Sequence, residues 1–212
     1  MREQESRDLV EVANISHLTV RHARGYIGLE KCRGLKFLVL VGCADSGIPS
    51  LKYHPSLAQF SVTDSAVRDI GGVEVGRKIY RMDLSRNFLE DLSPLLECPR
   101  LRSVDVSGNP LSDTAYHDVL PELDRRGVNV LAPTLQQRDL MLRMRSVGLP
   151  FAYYRMGDSY RLSRPGLDLT DMPEADHIKI GPGELSRLIE SEHETLAAIF
   201  ERRDLIPTWE NP

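Results

Sequence analysis

The sequence predicts an α/β protein in which a stack of repeated units lays down about six parallel strands and a small α+β domain follows. Three observations carry that reading. An apolar pattern recurs at one fixed interval through the middle of the chain, its phase breaks after Leu131, and the stretch beyond has helical and hairpin spacing instead. The expected division is 1–131 for the repeat domain with an N-terminal cap and 132–212 for a C-terminal α+β domain of helix, β-hairpin and helix.

The clearest unit is residues 79–89, IYRMDLSRNFL, which fits L-x-x-L-x-L-x-x-N-x-L at every fixed position. It recurs as LRSVDVSGNPL at residues 101–111, with Leu101, Val104, Val106, Asn109 and Leu111 in phase. Stepping back by the same interval gives Leu57, Phe60, Val62, Ser65 and Val67, and before them Leu35, Leu38, Leu40 and Cys43. A shorter unit carrying Ile15, Leu18 and Val20 precedes these. Residues 116–131 read as a last helix closing on Gly127 and a last strand with Val128 and Val130.

One such unit cannot bury its own apolar face, so stability must come from stacking on its neighbours. The Asn at the end of the pattern turns the chain and bonds neighbouring backbone, and Cys43 and Ser65 stand where Asn87 and Asn109 stand. On the return side, Leu89, Leu92, Leu95, Cys98 and Leu101 follow a three-residue spacing, with Cys32 in the equivalent place to Cys98. The three cysteines are therefore expected as small buried hydrophobes and not as a metal or disulfide set.

On these motifs, residues 15–131 resemble the leucine-rich-repeat superfamily in its 22-residue variety, found in protein-phosphatase regulators and in many bacterial proteins. The resemblance implies a curved right-handed solenoid whose parallel strands line the concave side and act through protein recognition. The early units depart from it in lacking Asn, and the first is irregular.

Alternation along each strand puts the residues flanking the two core positions on the concave face. From first strand to last these are His17, Thr19, Arg21; Phe37, Val39, Val41; Gln59, Ser61, Thr63; Arg81, Asp83, Ser85; Ser103, Asp105, Ser107; and Gly127, Asn129, Leu131. The expected partner-binding set is Phe37, Val39, Val41, Gln59, Arg81, Asp83 and Asp105. The apolar strip Phe37, Val39 and Val41 needs a cover, which either a partner or the chain's own terminal segments could supply. Asp83 and Asp105 on adjacent strands could in principle share a proton, although charged residues on a solvated strand face are the plainer account.

Beyond Pro133, residues 134–147 carry a helical stripe of Leu135, Leu140, Met141 and Met144, with Thr134 as N-cap and Gly148 as stop. Residues 151–166 read as a hairpin turning at Gly157-Asp158. Its Tyr153, Tyr154 and Tyr160, with Arg155 and Arg161, suit either packing against a helix or the repeats, or stacking on nucleic-acid bases. Residues 168–183 read as a loop, after which a long helix is expected from Pro182 through Phe200. Trp209 reads as an anchor tucked into a groove or as an exposed contact.

A net charge of −4, from 27 basic and 31 acidic side chains without blocks of like charge, argues against nucleic acid or anionic lipid as partner. Residues 1–12 have no signal-like basic start and apolar run, and the longest apolar run, residues 37–41, is far short of the roughly 20 residues a membrane span needs. A cytoplasmic location is the expectation. No phosphate loop, His-Glu-x-x-His or Gly-x-Ser-x-Gly pattern occurs, and no cofactor or metal is expected. The function expected is a non-catalytic protein- or peptide-binding module, such as an adaptor, inhibitor or immunity-type regulator. The alternative is that the repeats recruit substrate to a small catalytic or nucleic-acid-binding C-terminal domain, with Tyr153, Tyr154, Arg155 and His177 lining its cleft.

Overall fold

In each repeat the strand pleat sends the two central apolar residues inward and their neighbours outward. The computed structural model describes residues 13–175 and 177–201, so the expectations for residues 1–12 and for Trp209 lie outside the described residues. Strands β1 (His17–Arg21), β2 (Phe37–Val41), β3 (Gln59–Thr63), β4 (Arg81–Asp83), β5 (Ser103–Asp105) and β6 (Asn129–Leu131) form one parallel sheet in sequential order. The register runs in equal steps through the middle, with Phe37 opposite Gln59, Gln59 opposite Arg81 and Arg81 opposite Ser103. The first step, His17 to Phe37, is slightly shorter, and the last, Ser103 to Asn129, is longer.

The step length follows from how the chain returns. Four turns come back through short 3-10 segments, Leu29–Lys31, Leu51–Tyr53, Val73–Val75 and Ser93–Glu97, which bury Leu29, Leu51, Val73 and Leu95. The last return is bulkier, a π-turn at Ala115–Val119 running into α1 (Leu120–Arg125). Between sheet and returns, Leu38, Leu40, Phe60, Val62, Met82, Leu84, Val104 and Val106 are at most 1% exposed. On β1, which among the described residues has a strand neighbour on one side only, Leu18 and Val20 are half-buried.

Backbone polar groups at the strand ends are satisfied by the ladder residues. The Asn87 amide donates to the carbonyls of Val62 and Leu84 at 2.8 and 2.9 Å, and its oxygen accepts from the Ser65 N–H. Asn109 repeats the arrangement with Leu84 and Val106, both at 2.9 Å. Where Asn is replaced, the shorter Ser65 hydroxyl accepts from the Cys43 N–H and donates to Thr63. Cys32, Cys43 and Cys98 are buried free thiols.

Residues beyond Pro133 build a second core. Thr134 and Gln137 form a reciprocal capping box at the start of α2 (Leu135–Ser146). The hairpin β7 (Ala152–Met156) and β8 (Ser159–Ser163) turns at Gly157-Asp158, with Gly157 left-handed. Leu140, Met144, Tyr153, Leu162, Leu188 and Phe200 pack together within it.

Two expectations for this part change. Residues 168–183 are not all loop: β9 (Ile178–Lys179) pairs antiparallel with β8 and buries Ile178. The expected helix from Pro182 to Phe200 is broken into α3 (Pro182–Ser191) and α4 (His193–Ala197) at Glu192, with a 3-10 turn at Ile199–Glu201. Between Ile189 and Leu196 every residue is polar, so a straight helix would have nothing to bury there.

Candidate functional site

The outward face of the six-stranded sheet gathers most of the residues that alternation assigned to it. A hollow of about 70 Å³ is lined by Phe37, Val39, Gln59, Ser61, Arg81 and Asp83, with Leu38 and Phe60 beneath. Phe37 and Val39 are half-buried and Arg81 is exposed. The Phe37 ring stacks on His17 at 4.3 Å between centroids and 9° between planes, which fixes one wall. Val41 differs from its strand-mates: it is 8% exposed and closed to a partner. The segment Pro173–Glu174 lies against that end of β2, where a Cβ on Gly42 would meet Pro173 Cγ at 2.8 Å and Glu174 Oε2 at 3.0 Å.

Asp83 and Asp105 face each other across β4 and β5, yet each carboxylate turns to its own strand. Asp83 Oδ1 accepts from the Ser85 N–H and hydroxyl at 3.1 and 2.7 Å, and Asp105 Oδ1 from those of Ser107 at 2.8 and 2.6 Å. Burial pushes the Asp105 carboxyl above its usual range; the Ser107 bonds pull it back and the Asp83 charge pushes it up again.

One column of residues went unread in the sequence. Each of the first five strands leaves the sheet through a left-handed residue: His22, Gly42, Asp64, Arg86 and Gly108, with φ between 51° and 71°. The pattern treats this place as variable, but the repeat interval puts Asp64 and Arg86 side by side, which is the signal that could have revealed them. Arg86 Nε and Nη2 donate to Asp64 Oδ1 and Oδ2, both at 2.8 Å. The Arg86 guanidinium also lies 5.0 Å from the Tyr154 ring centre. Tyr154 bonds His177 Nδ1, while His177 Nε2 approaches Asp64 Oδ1 at 3.3 Å and Pro173 O at 3.1 Å. Burial alone would raise the Asp64 carboxyl, but the bonds from His177 and Arg86 outweigh it and hold it below the usual range.

The same column carries the segment that leads away from β8. Gly166 N–H donates to Asp64 O at 2.9 Å. A Cβ on Gly166 would meet Ala66 Cβ at 2.8 Å, so only glycine permits this approach. Farther along, Glu174 pairs with His22 at 2.8 Å and Arg21 at 3.2 Å.

Tyr153, Tyr154, Arg155 and His177 do not line a common cleft. Tyr153 points into the second core and donates to Ile180 O, Arg155 folds onto its own turn at Gly157 and Asp158, and only Tyr154 meets His177. Among the described residues no group of three or more His, Cys, Asp or Glu is placed to hold a metal ion, and no helix is long and apolar enough to cross a membrane.

No family model matches the chain, and no curated protein matches it either. Solved structures do match, among them an internalin from Listeria monocytogenes. It is 16% identical with a TM-score of 0.34, over 60% of this chain and 58% of the internalin.

Proposed function

We propose that the chain is a non-catalytic leucine-rich-repeat module, a curved right-handed solenoid over about residues 15–131 followed by a small α+β domain, which binds a protein or peptide on its concave sheet face. One observation carries the reading: the hollow formed by Phe37, Val39, Gln59, Arg81 and Asp83 has an apolar floor and a charged rim. At about 70 Å³ it is far below the roughly 300–1,000 Å³ of small-molecule sites. Its size suits a single anchoring side chain from a polypeptide, the way interfaces concentrate their energy. The roles that fit are an adaptor, an inhibitor or an immunity-type regulator, and three buried thiols left unpaired suit the cytoplasm.

The test compares proteins captured from host extract by the wild-type chain and by a Phe37→Glu variant. Phe37 is half-buried and packs on His17, so melting curves must show the variant folded. We expect a specific band to be lost, corresponding to a weakening of at least about 2 kcal/mol. If every band captured by the wild type is retained by the folded variant, this face is not the binding surface.

A further inference from the structure

A second and larger hollow, about 960 Å³, lies on the edge of the sheet where strands β4, β5 and β6 begin, and its walls are cationic. Register explains why. Lys78, Arg100 and Arg126 each stand three residues before the paired positions Arg81, Ser103 and Asn129, so they form one row across three successive turns. Arg102 and Tyr80 flank the row, each one residue before its strand. Neighbouring strands lie about 4.8 Å apart, and like charges in register at that spacing repel one another. The equivalent places in earlier turns are Ser56 and Gly34, so the fold itself does not call for a cation there.

Among the described residues only the Arg126 charge of this row has an acidic partner. None of its lining residues is acidic, and among the described residues Lys78, Arg100 and Arg102 make no ion pair. Arg126 alone is held, by Glu122 Oε1 at 2.7 Å and by the Leu96 carbonyl. The hollow is also joined to the face described above: Gln59, on the rim of the small hollow, donates from Nε2 to the Tyr80 hydroxyl at 2.6 Å.

We propose that this groove takes the acidic stretch of a polypeptide partner, with Asp and Glu carboxylates on the Lys78–Arg100–Arg126 row and Arg102 and Tyr80 donating from the side. It rests on the protein-binding reading of the sheet face and adds the partner's charge. Two observations favour polypeptide over nucleic acid. The cationic row spans only about 10 Å, two strand spacings, which accommodates two or three carboxylates and not a run of phosphates. Outside it the chain is net acidic, at −4 overall, and would repel a long polyanion.

The experiment measures fluorescence anisotropy of labelled octaglutamate with the whole chain at low ionic strength. Saturable binding is expected, falling steeply with added salt and absent for octaglutamine. A Lys78→Ala/Arg100→Ala variant should bind about tenfold or more weakly. Its melting temperature should not drop, because two repelling exposed charges are removed. Octaglutamate reads the groove alone and capture by the Phe37→Glu variant reads the sheet face alone, so either result can fail without the other. The proposal is overturned if octaglutamate does not bind, if the double variant binds it equally well, or if a single-stranded oligonucleotide of equal charge binds more tightly.

Discussion

Arg86 and Asp64 hold each other in a two-bond fork at 2.8 Å while both occupy the left-handed backbone region, one turn of the repeat apart. Asp64 has a side chain only 3% exposed and also receives Gly166 and His177 from the C-terminal part of the chain. The pair therefore joins two neighbouring turns to each other and both to the C-terminal part of the chain. Replacing Arg86 by Ala leaves Asp64 buried without its main counter-ion, and should lower stability by about 3 kcal/mol in chemical denaturation. Replacing Asp64 by Asn at the same time should restore part of that loss. A single variant as stable as wild type would show the fork to be dispensable.

The same carboxylate sets a direction with pH. Its folded value lies below the unfolded value of about 3.9, so its contribution is complete above that pH and disappears as pH falls through the folded value. Wild type should lose stability on acidification below about pH 4, and Asp64→Asn should show a shallower loss over the same window. Identical slopes would contradict the assignment.

Asp105 works in the opposite sense. Its folded value is raised, first by burial, so ionisation weakens the fold and its favourable contribution is lost as pH rises through that value. An Asn here keeps an oxygen for Ser107 and removes the charge facing Asp83. At neutral pH Asp105→Asn should raise the melting temperature by roughly 1–3 °C. A lower melting temperature would mean that Ser107 depends on the charge.

Asn109 is fully buried, and its amide feeds the carbonyls of Leu84 and Val106. Asn109→Asp turns those donors into an oxygen facing carbonyls in a site without solvent. A loss of about 3 kcal/mol or more is expected, read from the midpoint of denaturation. No change would make the ladder an incidental contact.

The parallel sheet was legible because its signal is local and periodic. Leu84 or Val104 can be assigned from spacing alone, as burial recurs at a fixed phase of the repeat. The hollow's lining followed from the same alternation, whereas the burial of Val41 did not: Thr63 and Ser85 in the same column are also buried, and the Pro173–Glu174 segment that lies against neighbouring Gly42 is far away along the chain. Strand β9 escaped notice for a related reason: Ile178 and Lys179 are too short a run to show a period, and only pairing with Leu162 and Arg161 makes them a strand. The interruption at Glu192 had a visible cue in the polar run 190–195, which the apolar stripe on either side concealed.

A linear array of repeats can melt from its ends, each unit letting go separately. Here the segment from Gly166 to Glu174 touches His22 on the first turn and Asp64 on the third, and Arg145 and Arg138 reach Glu90 and Asp113 on later turns. A first turn that frays must release Glu174, and a C-terminal part that detaches leaves Asp64 and Arg86 without Gly166, His177 and Tyr154. Unfolding is therefore expected in one cooperative transition, with those β1 amides that are bonded to β2 opening together with the middle of the sheet.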